Sequence, residues 1–244
     1  MDKLFTFSFI LFFCGLINVH AQHGLERFTS SSDLAIQNAE VRYMPDLEIL
    51  VFEIEVTGQA GETIPEAAGQ LDGAPVLGYV FPTTLSPGAV GFNNVEGIVA
   101  LALTSHPDFD DTPLWDERGD GNYDNDGVIW HPHWVVLNSD DRVDGGLSVL
   151  EFDEGDESVV LPPTNPGMPM YMDSPGFQVV TRDNRIFAVV PKYRVRGNVD
   201  FSFDAVSAFM RVNTSDESRP MLGVYNVYSV LSGDLSLPYT VTKE

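Results

Sequence analysis

Residues 47–56 read LEILVFEIEV, a run dominated by leucine, β-branched and aromatic side chains, as is typical of a β-strand. Residues 34–43 have a similar character, and a Pro45-Asp46 turn separates the two runs, which together predict a β-hairpin. Short runs of this kind recur along the chain, and no segment keeps a 3.6-residue apolar period over three turns. We therefore predict an all-β fold, a β-sandwich of about a dozen short antiparallel strands with long acidic loops.

The N-terminus has the order of features found in a secretory signal peptide. Lys3 precedes an apolar run at residues 4–19, and the small residue Ala21 follows it. We predict that residues 1–21 are a signal peptide and that residues 22–244 form a single β-sandwich domain, secreted or periplasmic. The apolar run is too short for a convincing membrane span, and no later run is long enough, so no membrane span is predicted. Cys14, the one cysteine, lies inside the signal, so the mature chain would have no disulfides or thiolate ligands.

The formal net charge of −23 argues against binding to nucleic acid or to anionic membranes, because both need basic patches. The charge is compatible with binding of cations, although solubility outside the cell explains it equally well. The sequence has no G-x-S-x-G elbow, phosphate loop, dinucleotide fingerprint or zinc-protease helix. We therefore do not predict an enzyme, and an enzyme that uses a metal at an open position stays an alternative.

Residues 106–137 concentrate side chains that can bind metals. They hold three of the five histidines, all three tryptophans and eight acidic residues. His131 and His133 flank Pro132, and residues two apart in an extended chain point to the same side, so both imidazoles could meet one ion. His106 opens the segment and could supply a third nitrogen. Imidazole suits copper, zinc, iron or nickel, so we predict a metal site, with two surface histidines paired by chance as the alternative.

Three alternating methionines form the second candidate group. Met168, Met170 and Met172 would lie on one face of an extended chain, where their thioethers could converge. Thioethers prefer Cu(I) to hard cations, so these residues favour copper as the metal. The alternative is that adaptable methionine side chains simply fill gaps in the packing.

An acidic loop forms the third group. Asn122, Asp124 and Asp126 precede Gly127, in partial agreement with the opening of a calcium loop, and Asp120 stands just ahead. The twelfth position counted from Asn122 is His133 rather than glutamate, which argues against a full EF-hand. We predict a structural calcium ion that stiffens this loop, with a solvated turn as the alternative.

Trp130, His131 and His133, in an acidic chain predicted to be exported, resemble the methanotroph surface proteins that bind copper through histidines and an oxidised tryptophan. The resemblance implies a high-affinity extracellular copper site with calcium nearby. In that family the tryptophan stands two residues before its histidine, whereas Trp130 directly precedes His131. No histidine follows position 133, so a further ligand would be His106 or a methionine.

These patterns together predict an exported metal-binding protein, with copper as its metal and acquisition, storage or sensing as its purpose. One alternative is a calcium-dependent carbohydrate-binding module, in which the tryptophans stack on a polysaccharide. Another is a haem-binding sandwich that uses a histidine and a methionine as axial ligands.

Overall fold

The computed structural model describes residues 31–108, 120–121 and 128–244. In these residues the secondary structure is almost entirely β, which confirms the predicted all-β class. The predicted signal peptide at residues 1–21 lies outside the described residues, and so do Asn122, Asp124 and Asp126 of the predicted calcium loop. No helix in the described ranges has the length and apolar character needed to cross a membrane.

Fourteen strands and three short helices make up the described fold. The helices are α1 (Pro87–Val90) and two 3-10 helices, Ser32–Leu34 and Lys192–Val195. The strands are β1 (Ile36–Met44), β2 (Ile49–Val56), β3 (Pro75–Pro82), β4 (Ile98–Ser105), β5 (His131–Ser139), β6 (Leu147–Val149), β7 (Met172–Asp173), β8 (Gln178–Arg182), β9 (Arg185–Pro191), β10 (Ser202–Phe203), β11 (Val206–Val212), β12 (Leu222–Val230), β13 (Tyr239–Thr240) and β14 (Thr242–Lys243).

Six strands close into a barrel in the order β4-β3-β11-β12-β6-β5. The ring closes where β5 pairs antiparallel with β4, with Ile98 opposite Leu137 and Thr104 opposite His131. The short strand β7 adds to β5 beside β6. The predicted β-sandwich is not confirmed, because the pairing of β4 with β5 closes the main sheet into a barrel, and the predicted long acidic loops are not confirmed either.

A five-stranded sheet, in the order β14-β1-β2-β9-β8, packs against one side of the barrel. Alternate residues of β2 face the barrel, and the ring of Phe52 contacts Phe81 of β3 and Trp134 of β5, at 5.2 and 6.2 Å between ring centroids. Leu50 and Ile54 are buried on the same face. These contacts form an apolar core between sheet and barrel. They also show that Phe81 of β3 and Trp134 of β5 point out of the barrel, towards the five-stranded sheet.

The barrel interior is a second apolar core. Because successive side chains of a strand point to opposite faces, the outward position of Trp134 places His133 and Val135 inside the barrel. Both residues line an interior cavity, together with Leu137. His131 lies two residues before His133 and shares the inward face. The fold therefore carries both predicted β5 histidines into the barrel.

Asp140, in the turn after β5, stabilises the connection to β6. Its carboxylate accepts hydrogen bonds from Arg142 Nη2 and Ser148 Oγ, each at 2.7 Å. The hydrogen bonds from Arg142, followed by those from Ser148, hold the pKa of Asp140 well below its usual range. A lowered pKa in the folded state stabilises the fold above the unfolded pKa, and this stabilisation is lost as the pH falls through the folded value.

We expect Asp140→Asn to lower the free energy of unfolding at pH 7 by about 1 to 2 kcal/mol, a small value because solvent screens the half-exposed Arg142. The difference from the wild type should shrink below about pH 4, where the unfolded-state carboxyl takes up its proton. Urea unfolding of both proteins at pH 7 and pH 3 measures this difference in stability. Asp141→Asn, in the exposed neighbouring position, is the control and should change stability by less than about 0.5 kcal/mol. An equal loss of unfolding free energy for Asp140→Asn at pH 7 and pH 3 would contradict the link between stability and the lowered pKa of Asp140.

Candidate metal centre

Three buried histidines meet at the end of the barrel where β5 begins. Each of His106, His131 and His133 offers a ring nitrogen, and these nitrogens lie within 4.8 Å of one another. The three residues are 1 %, 6 % and 2 % exposed, respectively. We call them the histidine cluster. The arrangement can hold a metal ion, and its geometry does not indicate by itself which one.

The register between β4 and β5 brings the cluster together. Thr104 of β4 lies directly opposite His131, and His106 lies two residues beyond Thr104. In an antiparallel pair such diagonal positions on one face are close enough for long side chains to meet. The centroid of the His131 ring is 4.6 Å from that of His106 and 4.8 Å from that of His133. Residues 25 or more positions apart in sequence thus converge through strand pairing.

Hydrogen bonds fix the tautomers of two of the rings. His131 Nδ1 lies 2.7 Å from the carbonyl oxygen of Ile129, which can only accept, so Nδ1 carries the proton. In the neutral ring His131 Nε2 is then an acceptor, with His106 Nε2–H 2.8 Å away and Thr104 Oγ1 3.5 Å away. A metal ion bound by both Nε2 atoms would displace the proton between them, and the rings would turn so that both lone pairs point at the ion.

The 2.8 Å between these nitrogens is the ordinary length of a hydrogen bond. Nitrogens bound about 2.0 to 2.1 Å from an ion are about 2.9 Å apart when the bond angle is 90° and about 3.3 Å apart in a tetrahedron. Small movements of the two rings therefore suit either geometry, and the distance does not indicate which metal the cluster holds.

Ser174 holds the third ring in place. Its Oγ lies 3.1 Å from His133 Nδ1, which leaves Nε2 as the other nitrogen of that ring. Ser174 is brought there by β7, whose Asp173 pairs with Trp134 of β5. Asp173 accepts a hydrogen bond from Thr164 Oγ1 at 2.5 Å, and burial raises the pKa of its carboxyl. Sequence reasoning missed Ser174, because only the long-range pairing of β7 with β5 places it beside a histidine.

We expect Ser174→Ala to weaken metal binding by about 10- to 100-fold, since removing a group that orients a ligand has this effect in other metal sites. Competition with a chelator at fixed pH measures the affinity. Ser207→Ala removes another buried serine hydroxyl, one that donates to the Leu34 carbonyl, and it should leave the affinity unchanged. An affinity of Ser174→Ala equal to that of the wild type would show that Ser174 does not orient His133.

All three predicted methionines lie beside the histidine cluster. Met168, Met170 and Met172 line a cavity of about 20 Å³ together with His106 and His133. Their backbone is turned rather than fully extended, since each of Met170 and Met172 donates its N–H to the carbonyl two residues earlier. The structure thus places all three methionines around the cavity that two of the imidazoles share.

The histidines, Ser174 and the methionines define the candidate metal centre. No protein-family model, curated protein or solved structure matches this chain significantly. What the centre does must therefore be inferred from its geometry, and the resemblance to the methanotroph copper proteins stays a prediction.

The other predicted site residues are placed differently. Asp120 is exposed, and the remaining members of the predicted calcium loop lie outside the described residues. Trp130 is buried, donates its indole N–H to the Gly61 carbonyl oxygen at 3.2 Å, and packs on Tyr79 with 4.8 Å between ring centroids. Trp134 is buried against Phe52. Neither of these two indoles offers an exposed face to a sugar, and Trp115 lies outside the described residues.

Proposed function

We propose that the histidine cluster binds a copper ion and that the protein serves in the acquisition, storage or sensing of copper outside the cell or in the periplasm. The observation that carries the proposal is the convergence of three buried imidazoles whose ligand nitrogens lie within 4.8 Å of one another. Histidine is a common metal ligand, and buried polar groups of this kind need hydrogen-bonding or metal partners.

One feature favours copper over zinc. Imidazole suits either metal, but thioethers such as those of Met168, Met170 and Met172 bind copper(I), whereas zinc gains little from them. The residues around the cavity therefore combine the two donor types that copper accepts.

The predicted calcium ion belongs to the same proposal. Asp120, Asn122, Asp124 and Asp126 precede β5 in the chain, and a calcium ion bound by their oxygens would stiffen the approach to His131. A rigid support matters because a preformed set of nitrogens loses less entropy when the metal binds.

The cavities beside His133 are too small for the haem that the alternative hypothesis requires. The two cavities that His133 lines measure about 60 and 20 Å³. Pockets for organic ligands of that kind usually exceed about 300 Å³, so neither cavity accommodates a haem. The carbohydrate alternative loses support from the burial of Trp130 and Trp134.

Elemental analysis of the full chain, purified without chelators, tests the proposal. We expect about one copper ion per chain in the wild type, as one cluster of three histidines implies, and little copper in a His131→Ala/His133→Ala variant. Asp141→Asn, at an exposed position in the turn after β5, is the matched control and should keep its copper. Copper retained at full stoichiometry by a folded double variant would remove the assignment.

A further inference from the structure

A second cavity adjoins the histidine cluster inside the barrel. It has a volume of about 60 Å³, and its walls include three successive inward positions of β5, His133, Val135 and Leu137. From His133 to Leu137 the strand advances by four residue steps, so these positions extend over about 13 Å. Apart from Thr104 and His133, the side chains that line it are apolar.

Small side chains create this space. Ala102 of β4 lies opposite His133, and Ala208 of β11 lies opposite Gly78 of β3. In a narrow barrel the interior is normally filled by side chains, so alanines at these inward positions leave room that leucines would fill. Gly78 adds no room of its own, because Met210 Cε lies only 2.6 Å from the position that its Cβ would take. The cavity is therefore a consequence of Ala102 and Ala208.

The lining selects apolar occupants. A buried water molecule needs two to four polar partners, whereas cavities lined by aliphatic side chains stay dry and take up xenon or small hydrocarbons. Thr104 and His133 are the polar side chains on this wall, and both lie at the end next to the histidine cluster. The volume is below the roughly 150 Å³ of a cavity that holds benzene, so it suits a diatomic molecule.

The cavity and the metal centre share a wall. Thr104, His133, Met172 and Leu222 line both this cavity and the smaller one beside His106. Three protein nitrogens leave the fourth position of a four-coordinate ion to a methionine thioether or to an added ligand that displaces it. An added ligand that reaches this position from an apolar cavity is favoured when it is neutral rather than water or an anion, because the cavity offers such ligands little solvation.

We propose, resting on the proposed copper site, that copper(I) at the histidine cluster binds a small neutral diatomic gas of the carbon monoxide class, drawn from the barrel cavity. With carbon monoxide the step is simple ligand addition to copper(I). The carbon lone pair forms the new bond, no proton moves, and nothing is oxidised or reduced.

Infrared spectroscopy of the copper(I)-loaded full chain under carbon monoxide tests the proposal. We expect one C–O stretching band and one carbon monoxide per copper. Ala208→Leu fills the cavity and should lower the carbon monoxide occupancy at sub-saturating pressure at least tenfold, with the copper content unchanged. Ala89→Leu, at a buried position in α1 away from the cavity, is the matched control and should keep the wild-type occupancy.

Xenon binding to the metal-free wild type tests the cavity without a variant that could fold poorly. We expect xenon to shift the methyl resonances of Ala102, Val135 and Ala208 in the NMR spectrum. Copper bound at one equivalent without a C–O band would overturn the gas proposal and leave the copper site standing. Absence of copper from the cluster would overturn both proposals. A C–O band that Ala208→Leu leaves unchanged, or methyl resonances that xenon does not shift, would refute the role of the cavity.

Discussion

Copper(II) at a concentration 1,000-fold above its dissociation constant is expected to raise the melting temperature of the protein by roughly 8 to 16 °C. A ligand that binds only the folded state stabilises it by about 4 kcal/mol at that concentration. For a domain of this size each kcal/mol shifts the melting temperature by about 2 to 4 °C. Two of the histidines lie in β5 and His106 directly follows β4, so the bound ion would link the two strands whose pairing closes the barrel. Differential scanning calorimetry measures the shift.

His106→Ala is expected to remove most of this stabilisation. If losing one of three nitrogens weakens binding about 100-fold, the same copper concentration stabilises by only about 1.4 kcal/mol, or roughly 3 to 6 °C. Each variant is compared with its own metal-free form, so that the cavity left by the deleted ring does not enter the comparison. Ser148→Ala, which removes a buried hydroxyl bonded to Asp140, is the control and should show the full shift. A full shift in His106→Ala as well would exclude His106 as a ligand.

Phe52→Ala is expected to lower the free energy of unfolding by about 3 to 5 kcal/mol. Phe52 is fully buried and meets Phe81 and Trp134 edge to face, with interplanar angles of 77° and 81°. It also stacks on Phe201 at 6.1 Å between ring centroids. Truncation would open a cavity between the five-stranded sheet and the barrel, with the loss of these aromatic contacts added to the lost burial.

Urea unfolding monitored by tryptophan fluorescence measures this loss. Val180→Ala on β8 is the control, because Val180 is 39 % exposed and its truncation should cost less than about 0.5 kcal/mol. A loss below about 1 kcal/mol for Phe52→Ala would mean that the sheet and the barrel do not depend on this aromatic contact.

Local sequence patterns predict the hairpin at the start of the fold. Residues 34–43 and 47–56 correspond to β1 and β2, which pair antiparallel with Val41 opposite Phe52. The alternation of residues in β2 is enough to show which side is buried. Residues 193–195 also have the composition of a strand, but they end the 3-10 helix Lys192–Val195, because three residues are too few for composition to outweigh the local turn at Arg196.

The closure of the barrel could not be predicted in this way. β4 and β5 read IVALALTS and HPHWVVLNS, and both are buried on two faces. The apolar run of β4 is typical of a strand covered on both sides, but it does not show that the strand belongs to a barrel rather than to a sandwich. The register that places Thr104 opposite His131 depends on tertiary packing, and no short turn connects the two strands to fix it.

The metal centre likewise has a part that local sequence patterns predict and a part that depends on long-range packing. The spacing of His131 and His133 is sufficient to predict that both rings share a face, because period-2 alternation is a property of any strand. The approach of His106 follows only if β4 and β5 are neighbours, which the sequence leaves open. Ser174 and the barrel cavity depend on contacts between distant strands, so no local pattern indicates them.

Anomalous diffraction at the copper edge, from crystals of the copper-loaded protein, tests the proposed metal centre most directly. The proposal predicts a single copper peak in the barrel, about 2.0 to 2.1 Å from one nitrogen of each of His106, His131 and His133. Copper found only on surface carboxylates, with His106 Nε2 and His131 Nε2 still joined by their 2.8 Å hydrogen bond, would contradict it.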